Sequence, residues 1–247
     1  MVYQSKRASG VVDQILRTKQ GGNDAFFFIP TNNGEGEYSI GKFDGLRDAW
    51  DRNLGMRNGS KTSYSMHVAL GTVSFTLCFA AWGLISAFAP QFRKIFELTP
   101  TQSAALVAAP VLLGSLARIP VGMLTDRLGG RLVFSALMAI CAVPAFLVPM
   151  AGNFHQVIAV GFFLGLAGSS FAVGVGYVSR WTPPAKQGGV LGVYGLGNIG
   201  QSAAVFLGPV VAASVGWRSV YRGTAALLAA GAIAFALLAR NPTTRAS

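Results

Sequence analysis

Six long apolar runs dominate the chain and limit the folds that it can adopt. Each run is about twenty residues long, the length at which a helix crosses the hydrocarbon core of a bilayer. The composition agrees, because hydrophobic residues make up 52% of the chain, charged residues make up only 12%, and the mean hydropathy is +0.48. The pattern predicts an all-α membrane protein with six transmembrane helices, at about 66–88, 101–124, 132–150, 156–178, 190–215 and 220–239.

Basic residues are distributed unevenly among the segments that separate these runs. One side of the predicted bundle collects Arg127, Arg131, Arg180, Lys186 and Arg240, and the other side holds only Arg93, Lys94, Arg218 and Arg222. Short cytoplasmic loops carry the excess of lysine and arginine, so we expect a multi-pass protein of the plasma (inner) membrane with both termini in the cytoplasm. Because the net charge of +11 arises from these loops, we do not expect a nucleic-acid partner.

Arg118 is the one charged residue in the second run, which extends from Thr101 to Leu124. An arginine at the centre of a membrane helix costs from about 3 kcal/mol to more than 10 kcal/mol, so it should face a watery cavity or a partner and not lipid. Its helical neighbours include Gly114 and Gly122, small residues that leave room for a ligand beside the guanidinium. This environment predicts a buried anion site.

The fifth run contains the pattern Gly195-x-Gly197-x-x-Gly200, which has the spacing of a dinucleotide-binding fingerprint. That fingerprint requires a preceding strand and an acidic residue about twenty positions later, and here the flanks are apolar and Arg218 lies near that distance. We therefore predict no nucleotide cofactor. Glycines also allow close crossing of membrane helices without any ligand, and this alternative remains open.

A polar face follows the same run, formed by Tyr194, Asn198, Gln201 and Ser202 at helical spacing. Polar side chains in a membrane helix face the interior of a bundle. We expect this face to line a cavity, and hydrogen bonding between helices is the alternative.

The loop after the second run carries the acid, bases and glycines Gly122, Asp126, Arg127, Gly129 and Arg131. This pattern resembles the loop between the second and third helices of major facilitator superfamily transporters. With Arg118 one turn upstream in Arg-Ile-Pro, it resembles the nitrate/nitrite porter family within that superfamily.

A second segment, from Gly165 to Ser202, resembles the glycine-rich nitrate signature of the porter family, built around Gly-Leu-Gly-Asn-x-Gly. The resemblance covers about residues 66–240. It implies that Phe171 on the fourth helix and Asn198 on the fifth line the substrate site together with Arg118. Tyr194, Gly195, Gly197, Gly200 and Gln201 belong to the signature and its cavity face.

The resemblance also implies the architecture and the function. Six helices would form two three-helix repeats of inverted topology, the N-terminal half of a major facilitator fold. Nitrate or nitrite would bind near the midplane between this half and a second six-helix half, covalent or separate, which we expect to be absent from this chain. Asp126, Arg127 and Arg131 would contact that half at a cytoplasmic gate. The alternatives are a carrier of another small anion or organic acid, and a non-transporting truncated membrane protein.

Residues 1–65 are polar and rich in turn residues, and we expect them to form a cytoplasmic N-terminal tail. Apolar residues recur at helical steps within 43–54, which indicates an amphipathic helix on the membrane surface or a solvated linker helix. Residues 66–240 would form the bundle, and residues 241–247 a second cytoplasmic tail. Cys78 and Cys141 lie in separate runs as packing residues, no metal cluster is predicted, and no nucleophile pairs with a base as an enzyme would need.

Overall fold

The computed structural model describes residues 26–30, 38–42 and 61–241. The chain divides into two units, Met1–Asn58 and Gly59–Ser247. In the first unit, strands β1 (Phe26–Pro30) and β2 (Tyr38–Lys42) pair antiparallel, with Phe28 opposite Ile40. The prediction of a polar tail did not include this hairpin. The amphipathic helix predicted at 43–54 lies outside the described residues, as does most of the tail at 241–247.

The second unit is helical throughout the part that the structure describes. Its helices are α1 (Lys61–Ile95), α2 (Pro100–Leu128), α3 (Gly130–Leu147), α4 (Phe154–Leu164), α5 (Ser170–Trp181), α6 (Gln187–Gly195), α7 (Ile199–Val215) and α8 (Trp217–Leu238). Short 3₁₀ segments at Gly165–Ser169 and Leu196–Asn198 join α4 to α5 and α6 to α7. Both glycine-rich motifs therefore depart from regular α-helix, a change that the apolar pattern did not predict.

Six spans in this unit are long and apolar enough to cross a membrane: Tyr64–Ile95, Pro100–Leu128, Gly130–Met150, Phe154–Trp181, Pro184–Val215 and Trp217–Leu238. We number them first to sixth. They confirm the predicted bundle, and most helices continue into the polar residues that flank each apolar run. The second span begins at a capping box, in which the Thr99 side chain accepts a hydrogen bond from the backbone of Gln102 and the Gln102 side chain accepts one from the backbone of Thr99.

The two predicted three-helix repeats share one backbone feature. Gly129 alone joins the second span to the third, and Gly216 alone joins the fifth to the sixth. Their dihedral angles are nearly identical, with φ 85° and ψ 149° at Gly129 and φ 80° and ψ 146° at Gly216. Residues that carry a Cβ atom rarely adopt positive φ, which explains why glycine occupies both positions.

Polar contacts bring the basic loops together at one end of the bundle. Backbone N–H of Arg131 donates to the Asn241 side chain over 3.1 Å, and Nε of Arg131 donates to the Ala236 carbonyl over 2.8 Å. At the same end, His67 and Tyr177 share a hydrogen bond of 2.7 Å. We call this the basic end, and it holds Arg127, Arg131, Arg180, Lys186 and Arg240.

Candidate functional site

The second span crosses the fourth at very close range, and this crossing fixes the position of Arg118. A Cβ atom added to Gly114 would lie 2.7 Å from the Gly165 carbonyl oxygen, and one added to Gly165 would collide with the backbone of Pro110. One turn further along the second span, Nε of Arg118 lies 3.4 Å from the carbonyl oxygen of Gly168, a long hydrogen bond. The glycines therefore hold the arginine against the backbone of the fourth span.

Arg118 and Phe171 are neighbours in the structure. Cζ of Arg118 lies 5.9 Å from the centroid of the Phe171 ring, at the outer limit of a cation–π contact. The four hydrogens on the Nη atoms of Arg118 find no acceptor within residues 61–241. That segment contains only two acidic residues, Glu97 and Asp126, and both lie near helix ends. No carboxylate of this bundle therefore pairs with the guanidinium, which is exposed at the bundle surface.

Asn198 is also exposed, but no hydrogen bond joins it to Arg118 or Phe171 in the described part of the chain. Its Nδ2 donates to the Gly195 carbonyl over 2.9 Å, within the same 3₁₀ segment. One amide hydrogen and the side-chain carbonyl of Asn198 are left without a partner among residues 61–241.

Three aromatic rings from three spans surround the buried side of this site. The centroid of Phe75 on the first span lies 5.7 Å from that of Phe171 and 4.8 Å from that of Tyr194, and Phe171 and Tyr194 lie 6.2 Å apart. We call these three residues the aromatic cluster. Sequence reasoning missed Phe75, because nothing in an apolar run distinguishes a ring that touches the site from one that fills the core.

The polar face predicted on the fifth span is divided in the structure. Tyr194 is fully buried, and its hydroxyl donates to the Ser170 carbonyl over 3.0 Å. Asn198 and Ser202 are exposed, and Gln201 is half-buried. Tyr194 therefore does not share a surface with Asn198, and its contact corresponds to the alternative of hydrogen bonding between helices.

The glycines of the same signature have different neighbours. A Cβ atom on Gly197 would collide with the Phe75 ring, and one on Gly200 would collide with the Thr76 carbonyl. At Gly195 an added Cβ would meet no atom within 4 Å. The first span thus approaches the fifth closely at two of these three positions.

Charged groups of the predicted gating loop form contacts within the bundle. An Asp126 carboxylate oxygen forms an ion pair of 2.9 Å with Arg180, which also donates to the carbonyls of Thr125 and Asp126. Arg131 binds the end of the sixth span, as described above. Arg127 is exposed and has no ion pair or hydrogen bond within residues 61–241.

The two loop glycines differ in their surroundings. A Cβ atom on Gly122 would lie 3.9 Å from the Ala172 side chain, which is ordinary contact. Gly129 has positive φ, and a Cβ there would collide with the side chain of Asn241. The role of this loop in a contact with a second half stays a prediction.

Comparison with known families agrees with this architecture. Residues 70–247 match the family model described as Major Facilitator Superfamily. The chain belongs to this superfamily. It is therefore a multi-pass membrane protein of a transporter superfamily.

Curated relatives within the superfamily carry names that refer to nitrate or nitrite. The "Probable nitrate/nitrite antiporter NarK1" of Thermus thermophilus is 44% identical over 146 residues, which cover 59% of this chain and 33% of that protein. The "Nitrite extrusion protein" of Bacillus subtilis (strain 168) is 38% identical over 168 residues, which cover 68% of this chain and 42% of that protein. This chain thus spans about a third to two-fifths of the length of these relatives.

A solved structure shows the same fold. The crystal structure of a bacterial homolog to the human lysosomal transporter Spinster, in an inward-facing and unoccupied conformation, superposes with a TM-score of 0.64. The match covers 74% of this chain and 44% of that chain at 20% sequence identity. The six-span bundle therefore has the fold of part of that structure.

Proposed function

We propose that the bundle forms one half of an alternating-access transporter for nitrate or nitrite, with Arg118 as the anion ligand. The observation that carries this proposal is a guanidinium with free Nη hydrogens, in a membrane span whose bundle offers it no carboxylate. The names of the curated relatives support nitrate or nitrite as the substrate. A second six-helix half, in the same or another chain, would supply the opposite wall of the site.

The contacts of Arg118 suggest how an anion would bind. Because Nε–H points to the Gly168 carbonyl, the two Nη groups are left to donate parallel hydrogen bonds to two oxygens of a planar anion. Phe171 lies beside the guanidinium and would limit the space to a flat ligand. The free amide hydrogen of Asn198 would contribute a hydrogen bond or shape the site as the halves close.

The basic end supports an orientation with both termini in the cytoplasm of a cell whose plasma membrane holds the protein. Asp126 and Arg131 already have partners within this half, whereas Arg127 has none in the described part of the chain. We therefore propose Arg127 as the loop residue that reaches the second half at the cytoplasmic gate. Asp126 and Arg131 would set the shape of that loop.

Replacing Arg118 with lysine tests the anion site in the full-length transporter that contains this bundle. Lysine keeps the charge but cannot donate two parallel hydrogen bonds. We expect nitrate binding to weaken by about 1.5 to 3 kcal/mol, the range for a hydrogen bond to a charged group, which corresponds to a loss of about tenfold to more than 100-fold in affinity.

Nitrate affinity must be measured per folded molecule, because a structural arginine would behave differently. If Arg118 served only to bind helix carbonyls, Arg118→Lys and Arg118→Ala would reduce the amount of folded protein and leave the affinity of the remainder unchanged. Wild-type nitrate affinity in folded Arg118→Lys would contradict the proposal.

A further inference from the structure

We propose that Phe75 and Tyr194 are positioning residues, which hold the Phe171 ring at a fixed angle beside Arg118 and so make the site selective for planar anions. The inference rests on the proposed function, because it concerns the same anion site. Phe75 and Tyr194 would not touch the anion themselves, since both are fully buried behind Phe171.

The three rings of the aromatic cluster differ in burial. Phe171 is 38% exposed, whereas the rings of Phe75 and Tyr194 have no exposed surface. Phe75 and Tyr194 stack at an interplanar angle of 20°, and each lies within the usual range for an aromatic pair with Phe171. Rings in a close-packed interior cannot turn freely, so Phe171 has a rigid backing on its buried side.

The hydroxyl of Tyr194 also fixes the backbone next to Phe171. It donates to the carbonyl of Ser170, the residue directly before Phe171, over 3.0 Å. A Cβ atom on Gly174, one turn further along the fourth span, would collide with this hydroxyl. Glycine at this position therefore lets the phenol reach a carbonyl that a side chain would cover.

A second glycine provides space for Phe75. The Phe75 ring lies where a Cβ atom of Gly197 would stand, and Gly197 directly precedes the candidate site residue Asn198. The 3₁₀ segment Leu196–Asn198 thus touches the support of the Phe171 ring. On this basis Gly197 acts on the anion through two aromatic rings, without contacting the anion.

A fixed ring beside the guanidinium has a consequence for selectivity. Nitrate is flat and fits a narrow slot along a ring, whereas a tetrahedral anion of the same charge, such as perchlorate, requires a thicker space. If the ring tilts, the slot loses its shape but Arg118 keeps its charge. Loss of support should therefore weaken nitrate binding and leave perchlorate binding nearly unchanged.

A double-mutant cycle between Phe75 and Gly197 tests the first support. In proteoliposomes of the full-length transporter, we expect Gly197→Ala to raise the KM for nitrate about tenfold, because an overpacked ring must shift. Phe75→Ala removes the ring, so adding Gly197→Ala to Phe75→Ala should change the KM by less than about twofold. Gly192→Ala is the matched control, since a Cβ there meets no atom within 4 Å. Additive losses in the double variant would overturn the proposal.

Tyr194→Phe tests the second support with a change that preserves the ring and its packing. We expect the KM for nitrate to rise about threefold to fivefold, within the range of one lost hydrogen bond. The inhibition constant of perchlorate should stay within about twofold of the wild-type value. The ratio of the nitrate KM to the perchlorate inhibition constant should therefore rise towards its value in Phe171→Ala. A purely structural role would lower the folded yield and leave this ratio unchanged.

The two anions also separate this inference from the proposed function. Arg118→Lys should weaken both nitrate and perchlorate, because it alters the donor group itself. If Arg118→Lys weakens both anions while Tyr194→Phe and Gly197→Ala retain the wild-type ratio, the anion site stands and the positioning role is wrong. Unchanged nitrate affinity in Arg118→Lys would instead refute the proposed function, and this inference with it.

Discussion

The fourth and fifth spans are both interrupted by a glycine-rich 3₁₀ segment, yet their glycines serve different contacts. In the fourth span, Gly165 and Gly168 meet the backbone of the second span at Pro110 and Gly114. In the fifth span, Gly197 meets a phenylalanine ring of the first span, Gly200 meets backbone, and Gly195 meets nothing within 4 Å. The two 3₁₀ segments therefore differ in their closest contact: Gly165 faces the backbone of a neighbouring helix, whereas Gly197 leaves room for an aromatic ring.

The largest effect is expected where a glycine faces backbone, because backbone cannot move aside as a side chain does. Gly165→Ala would drive a methyl group into the backbone of Pro110, and Gly200→Ala would do the same at Thr76. We expect each to lower the free energy of unfolding by about 1 to 3 kcal/mol. The measurement is the yield and thermal midpoint of monodisperse protein in detergent, and wild-type values for either variant would remove the distinction between backbone-facing and ring-facing glycines.

An intermediate effect is expected at Gly161 on the fourth span. A Cβ atom there would lie 3.3 Å from Cδ1 of Ile85, the end of a side chain that can move. Gly161→Ala should therefore cost less stability than Gly165→Ala. Because Ile85→Val removes the Cδ1 atom, we expect Gly161→Ala to be tolerated better in the Ile85→Val background than in the wild type. Equal costs in both backgrounds would show that Ile85 does not limit this position.

The smallest effect, with the opposite sign, is expected at Gly195. Its added Cβ would meet no neighbour within 4 Å, and alanine restricts the unfolded chain more than glycine does. We expect Gly195→Ala to raise the free energy of unfolding by about 0.4 to 1 kcal/mol. A loss of stability, measured by the same thermal midpoint, would mean that Gly195 has a contact that the bundle alone lacks.

The sequence allowed the membrane spans to be predicted well, because apolar length is a property of each segment by itself. The proximity of Arg118 and Phe171 came from family resemblance, and the structure explains it through the crossing at Gly165. The contacts that the sequence did not reveal join distant residues. Asp126 and Arg180 are 54 positions apart, and nothing local indicates that they pair.

Tyr194 illustrates the same limit within one span. Its spacing from Asn198 placed both on one polar face, but the hydroxyl is drawn into the bundle by the Ser170 carbonyl. The sequence says even less about the role of a glycine, because that role depends on which atoms of a neighbouring span lie against it. Gly195, Gly197 and Gly200 look equivalent in one dimension, and only the packing of the first span distinguishes them.

The single-residue link at Gly129 has a consequence for how the protein enters the membrane. No longer loop separates the second span from the third, so we expect these two spans to insert together as a helical hairpin. The second span carries Arg118, and inserting an arginine at the centre of a helix costs about 3 kcal/mol even at the lower end of the range given above. The third span, Gly130–Met150, has no charge after Arg131. Its hydrophobicity would offset the cost of the arginine during biosynthesis, so the residue that we propose to bind the anion would depend on its neighbour to reach the bilayer.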